Sequence, residues 1–155
     1  MMKGICLRYS NNETEAEDLL QESFIKAFNK LDTFYNNGAL GGWLRKIAVN
    51  TALEHYRKNK NKAVVLDLNQ VDSLIPDNAI ENLELEDLLK KIQSLPTGFR
   101  TVFNLYAVEG YNHREIGEML SISEGTSKSQ YSRARVMLRD MIAQDELQTK
   151  KVNYA

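Results

Sequence analysis

The chain has 155 residues, 43% hydrophobic and 26% charged, with a net charge of -1, proportions of a globular protein. No apolar run approaches the roughly 18 residues that a membrane span needs, and "MMKGICLRYSNN" is too short and polar for a targeting signal. One cysteine, Cys6, excludes an internal disulfide and fits a reduced thiol in a cytoplasmic protein. His55 and His113 stand far apart, no Gly-rich phosphate loop occurs, and no nucleophile sits beside a base, so neither metal, cofactor nor enzyme is expected.

Charge is uneven along the chain. Residues 1–60 hold nine Lys/Arg against seven Asp/Glu, residues 61–95 three against seven, and residues 96–155 eight against seven. Two weakly basic ends around an acidic middle predict two units and a connector. Helical periodicity dominates both ends, and the one β-like run, "AVVLDL" at 63–68, stands alone. The expected fold is all-α: a helical unit over 1–60, a linker over 61–80, a second helical unit over 81–142, and a frayed tail over 143–155.

In the first unit, Leu20, Phe24, Ala27 or Phe28, and Leu31 recur at helical spacing, and Asn12 with Glu15 marks the helix start. "DTFYNNGALGG" (32–42) is a loop. A second helix runs from Trp43 to about Lys58, with Leu44, Ile47, Ala48, Ala52 and Tyr56 inward, and ends in the basic "RKNKNK". Asp18, Gln21 and Glu22 share a face of the first helix, as solvated acidic residues or as a docking surface. Lys46, Asn50, Glu54 and Arg57 recur at four, four and three, a polar stripe that suits either solvent or a nucleic-acid strand. Phe34 and Tyr35, in the loop, are the better candidates for an unstacked base; Trp43 and Tyr56 suit the core.

The second unit starts with a helix over 79–95 through Leu85, Leu88, Leu89 and Ile92, ended by Pro96, and a further helix spans Thr97 to Val108. Asn112 and Glu115 form a capping-box pair that starts a helix over 113–120. After "SIS", Ser123 caps a last helix that runs to about Ile142, with Tyr131, Ala134, Leu138 and Met141 inward. Gly117 allows close helix packing and Ile122 fills the turn beside Ile116 and Leu120, as a helix-turn-helix requires. Thr126, Ser127, Lys128, Ser129 and Gln130 are hydrogen-bonding types suited to groove edges, and Arg133 and Arg135 suit phosphates. Ser121 occupies a turn position that often holds Gly, at a cost of up to about 1 kcal/mol if its φ is positive.

Two stretches together resemble a known family. "AEDLLQESFIKAFNKLDTF" followed by "GWLRKIAVNTALEHYRKNK" resembles region 2 of bacterial sigma factors. "LPTGFRTVFNLYAVEGYNHREIGEMLSISEGTSKSQYSRARVML" resembles region 4. These two regions alone, joined by a short acidic linker, are the layout of the extracytoplasmic-function (ECF) group of the sigma-70 family. The resemblance implies a transcription initiation factor that binds RNA polymerase core and promoter DNA and helps open it. Asp18, Gln21 and Glu22 match the surface that docks on the β′ clamp helices. The loop 32–42 and the helix after it match the part that captures the minus-ten element, with Tyr35, Lys46, Asn50, Arg57 and Lys58 on the DNA side. Thr126, Lys128, Ser129, Arg133 and Arg135 match the minus-thirty-five reader. An inhibitory anti-sigma factor is a further partner compatible with the group. Family members usually carry another helical stretch before "GICLRYSNN", so the resemblance also implies a region 2 shortened at its N-terminus, with Ile5, Leu7, Leu19 and Phe24 exposed. The other reading is a helix-turn-helix regulator that binds an operator as a dimer without polymerase, which leaves the face of Asp18 unexplained.

Overall fold

The computed structural model describes residues 1–35, 38–63 and 83–153. Among these residues every regular element is helical, and the chain divides into two compact units, Met1–Leu74 and Ile75–Ala155. Most of the expected linker, and all of "AVVLDL" after Ala63, lie outside the described residues.

The first unit packs α1 (Met2–Tyr9), α2 (Glu13–Asn29) and α3 (Leu40–Ala63) against one another. The Asn12 side chain accepts the Glu15 amide at 2.9 Å, as expected of a cap. Glu15 reaches back one residue further than expected, accepting the Asn11 amide at 2.6 Å. A 3-10 turn, Leu31–Thr33, follows α2. The buried face of α2 is Ala16, Leu19, Ser23 and Ala27; of the expected stripe of Leu20, Phe24, Ala27 or Phe28, and Leu31, only Ala27 is buried. Small residues there let α1 and α3 approach, so the bulkier stripe turns outward and Phe28 is 72% exposed. The buried hydroxyls of Ser23 and Thr51 donate to carbonyls four residues back, at 2.6 and 2.8 Å, and so add no unpaired polar group.

Two expectations for this unit are corrected. α1 lies against both α2 and α3, so Ile5 and Leu19 are each only 2% exposed; of the four residues expected on an open face, only Phe24 is exposed. α3 begins at Leu40, through Gly41 and Gly42, and Val49 and Leu53 join its buried face.

The second unit holds α4 (Leu83–Ser94), α5 (Thr97–Phe103), a π-helical segment (Asn104–Val108), α6 (His113–Leu120) and α7 (Glu124–Asn153). Gly110, at φ +81, ends the segment before α6. Ile92, Leu95, Ala134 and Leu138 form a core, flanked by Phe99, Phe103, Met137 and Met141. That core sits at the C-terminal end of α4, so Leu85 is 72% exposed and Leu88 is exposed too, against the expectation that both face inward. α7 continues to Asn153, through the segment expected to fray. Its extension is tied at Asp145 by Lys91, a buried α4 lysine that Asp87 also holds. Burial alone would lower the Lys91 pKa, but the bonds to Asp145 and Asp87 outweigh it and raise it above the ordinary lysine value.

Candidate nucleic-acid interfaces and docking face

The α6–α7 motif is built as a helix-turn-helix. Asn112 and Glu115 complete a full capping box, with Asn112 accepting the Glu115 amide at 2.9 Å and Glu115 accepting the Asn112 amide at 2.8 Å. Ser121 adopts the left-handed conformation, φ 55 and ψ 48, and the Ile122 amide donates to the Gly117 carbonyl at 3.0 Å. Ser123 caps α7 by accepting the Thr126 amide at 3.0 Å. Ile116, Gly117 and Leu120 are buried, which fixes one side of α7 against α6 and leaves the other side open.

On that open side Thr126, Lys128, Ser129, Arg133 and Arg135 are all exposed. Several are already engaged locally. The Thr126 hydroxyl lies 2.8 Å from the Ser123 hydroxyl, and the Ser129 hydroxyl donates to the Thr126 carbonyl at 3.0 Å. Lys128 pairs with Glu124 at 2.6 Å, and its hydrogen bond holds the Glu124 carboxyl below the ordinary glutamate value. Ser127 is corrected: it is fully buried, not on a groove edge. The phase of 127, 131, 134 and 138 runs along the inward face, a signal that was present in the sequence. Gln130 is half-buried, with its carbonyl oxygen enclosed and without a hydrogen-bond partner among the described residues.

In the first unit, Lys46, Asn50, Glu54, Arg57 and Lys58 are exposed along α3. At its N-terminal end is an open cleft of about 450 Å³, lined by Thr33, Phe34, Tyr35, Gly38, Ala39, Gly42 and Trp43. Tyr35 is 77% exposed at the cleft. Phe34 and Trp43 pack tilted with ring centroids 5.2 Å apart. Trp43, expected in the core, therefore lines the cleft; its place directly after Gly41-Gly42 is the sequence feature that marked it. Asn36 and Asn37 of the expected loop lie outside the described residues. Lys46 and Asn50 start the exposed polar stripe within two turns of the cleft.

On α2, Asp18 and Gln21 are exposed and Glu22 is partly so. Lys26 donates to Glu22 at 2.8 Å and holds its carboxyl below the ordinary value. Ile25 and Phe28 are exposed beside them, Ile25 four residues after Gln21 and Phe28 three after Ile25. The carboxylate face therefore has an apolar side that charge patterning alone missed.

Two helical units, one carrying a helix-turn-helix and the other an aromatic cleft beside a cationic helix, define a class of DNA-binding protein. Residues 1–62 match the family description Sigma-70 region 2, and residues 85–138 match Sigma-70, region 4. The chain is 33% identical over 151 residues to the ECF RNA polymerase sigma factor SigW of Bacillus subtilis, covering 89% of this chain and 81% of that one. It is 31% identical over 154 residues to the ECF RNA polymerase sigma-E factor of Haemophilus influenzae, covering 90% and 80%. Among solved structures it is similar to the sigma factor RpoE from Bartonella quintana, in complex with the anti-sigma factor NepR, with TM-score 0.58 and 26% identity over 92% of this chain and 89% of that one. The chain belongs to the ECF RNA polymerase sigma factors. It is a transcription initiation factor that binds RNA polymerase core, recognises promoter DNA and helps open it; the family favours this over a regulator acting without polymerase. Among the described residues no helix is long and apolar enough to cross a membrane.

Proposed function

We propose how the surfaces divide the work of initiation. Residues 1–60 engage polymerase and the minus-ten element, 61–80 link, 81–142 engage the minus-thirty-five element, and 143–155 lie outside these roles. Asp18, Gln21 and Glu22, with Ile25 and Phe28, dock on the β′ clamp helices: a mixed acidic and apolar face suits a helical partner better than solvent alone. Tyr35, in the cleft with Trp43, receives a base flipped from the non-template strand. Lys46, Asn50, Arg57 and Lys58 run alongside the strand's backbone. Thr126, Lys128 and Ser129 face base edges in the major groove, and Arg133 and Arg135 face phosphates. The protein performs no chemistry of its own, works in the cytoplasm, and has an anti-sigma factor as a further partner; the solved relative carries one.

The observation that carries this reading is the open side of α7. Five hydrogen-bonding or cationic side chains are exposed there, on a helix whose opposite side is fixed by the buried Ile116, Gly117 and Leu120. Run-off transcription with core polymerase tests it, comparing wild type with Asp18→Arg/Glu22→Arg. Wild type initiates from promoter templates; the double variant, unchanged in melting temperature, loses both initiation and co-purification with core. Intact co-purification of the double variant would return that face to solvent.

A further inference from the structure

Outside the DNA-facing set, a polar and aromatic stack ties the start of α6 to α7. His113, the first residue of α6, lies ring-on-ring with Tyr106 of the π-helical segment, centroids 4.3 Å apart and planes 10° from parallel. Tyr131 of α7 closes on both, 5.7 Å from His113 and 4.5 Å from Tyr106. The Arg135 guanidinium lies over Tyr131, 5.8 Å from its centroid. His113 Nδ1 stands 2.9 Å from the hydroxyl of Ser127, which is fully buried. Apolar side chains would suffice to fill such a place. A buried hydroxyl instead demands a partner, because leaving one unpaired costs about 1–3 kcal/mol. His113 is that partner.

We propose that His113 is a positioning residue for promoter reading: through Ser127 and Tyr131 it sets the rotation of α7, and so the presentation of Thr126, Lys128 and Arg135. The inference rests on the reading of α7 as the DNA-facing helix. Ser127 lies between Thr126 and Lys128 in the chain, about 100° around the helix from each, and is buried while both are exposed. A rotation of α7 by about 10° would move a side-chain tip on its surface by roughly 1 Å. That is enough to spoil a base-edge hydrogen bond, whose useful range spans only about 0.5 Å.

The brace needs both partners. His113 Nδ1 and the Ser127 hydroxyl form one hydrogen bond in which either tautomer of the ring can take part, because a hydroxyl both donates and accepts. A side chain without a hydrogen-bonding atom at this position leaves the buried hydroxyl without that partner.

The test uses the full chain bound to core polymerase. The probe is a duplex selected by the wild-type holoenzyme from a random-sequence pool, with a scrambled duplex as the reference. The readout is the ratio of the two affinities. His113→Phe keeps a ring without a hydrogen-bonding nitrogen; His113→Asn keeps a hydrogen-bonding group without the ring. His113→Phe and Ser127→Ala are each expected to cut the ratio roughly threefold or more, with the double variant no worse than either. His113→Asn retains most of the ratio. Additive losses, or a ratio in His113→Asn as low as that in His113→Phe, would each overturn the proposal. If His113→Phe does not fold, as judged by melting, Ser127→Ala and His113→Asn decide alone, and an unchanged ratio in Ser127→Ala overturns it. Thr126→Ala and Lys128→Ala serve as controls. If they change the ratio and the His113 and Ser127 variants do not, the inference falls and the reading of α7 stands; if none of them changes it, both fall.

Discussion

Lys26 on α2 donates to Glu54 on α3 at 2.6 Å, while the same ammonium holds Glu22 at 2.8 Å. One cation thus joins the proposed polymerase face to the proposed strand-facing stripe. Partial burial alone would lower the Lys26 pKa, but the hydrogen bonds to Glu22 and Glu54 outweigh it and raise it above the ordinary lysine value. The same bond lowers Glu22.

Lys26→Met is expected to return the Glu22 titration toward its ordinary value. A lowered carboxyl pKa contributes stability above the unfolded value of about 4.3, and that contribution is lost as pH falls through the folded value. The variant should therefore flatten the acid limb of unfolding, by less than about 1 kcal/mol, because Glu22 is partly solvated. It also leaves Glu54 uncompensated within the stripe of Lys46, Asn50 and Arg57. Promoter opening should fall within about fivefold, and Lys26→Met/Glu54→Gln should recover it. Carboxyl NMR titration and permanganate footprinting of the opened strand check the two parts; no recovery in the double variant would remove the electrostatic account.

The turn of the helix-turn-helix gives a pair of opposite predictions. A Cβ on Gly117 would lie 2.8 Å from the Ile122 carbonyl oxygen, a backbone atom that cannot swing away. Gly117→Val should destabilise the second unit by about 1–3 kcal/mol. Ser121, by contrast, is held at φ 55. Ser121→Gly should stabilise the unit by up to about 1 kcal/mol, less the extra freedom that glycine gives the unfolded chain. Thermal melting measures both, and a less stable Ser121→Gly would show that the left-handed conformation carries little strain here.

Lys91 sets the alkaline limb. Its raised pKa contributes stability fully below the unfolded lysine value of about 10.4, and this is lost as pH rises through the folded value. Asp145→Ala removes one of its two carboxylates and should cost about 1 kcal/mol, since Asp145 is itself half-exposed. Urea unfolding at about pH 8 and about pH 11 should show the wild type losing more stability than the variant across that interval.

Arg133→Ala should weaken duplex binding to selected and scrambled sequences alike and reduce the salt slope by about one. Fluorescence anisotropy over a salt series measures it. A full slope in the variant would show that Arg133 does not reach phosphate.

The α6–α7 motif was legible almost residue by residue. Its caps, turn and inward phase are local features: Asn112, Glu115, Gly117 and Ser123 each occupy the place that their chemistry favours, and Ser121 takes the left-handed turn position at a cost. The stripe on α2 was not legible. Leu20, Phe24, Phe28 and Leu31 are as periodic as Ala16, Leu19, Ser23 and Ala27, and periodicity cannot say which face two neighbouring helices will cover. Leu85 and Leu88 misled for the same reason: their spacing suits burial, but the core formed at the other end of α4.

Sequence by itself determined the helical class, the two units, the helix-turn-helix and the sets of residues proposed to face DNA, because spacing, capping and charge act within a few turns of one helix. The tertiary structure decided which α2 face is covered, that Trp43 lines an aromatic cleft, that Ser127 pairs with His113, and that Lys26 spans two helices. Each of these depends on the approach of separate elements, where packing of bulk and the pairing of buried polar groups choose among faces that a single helix leaves equivalent.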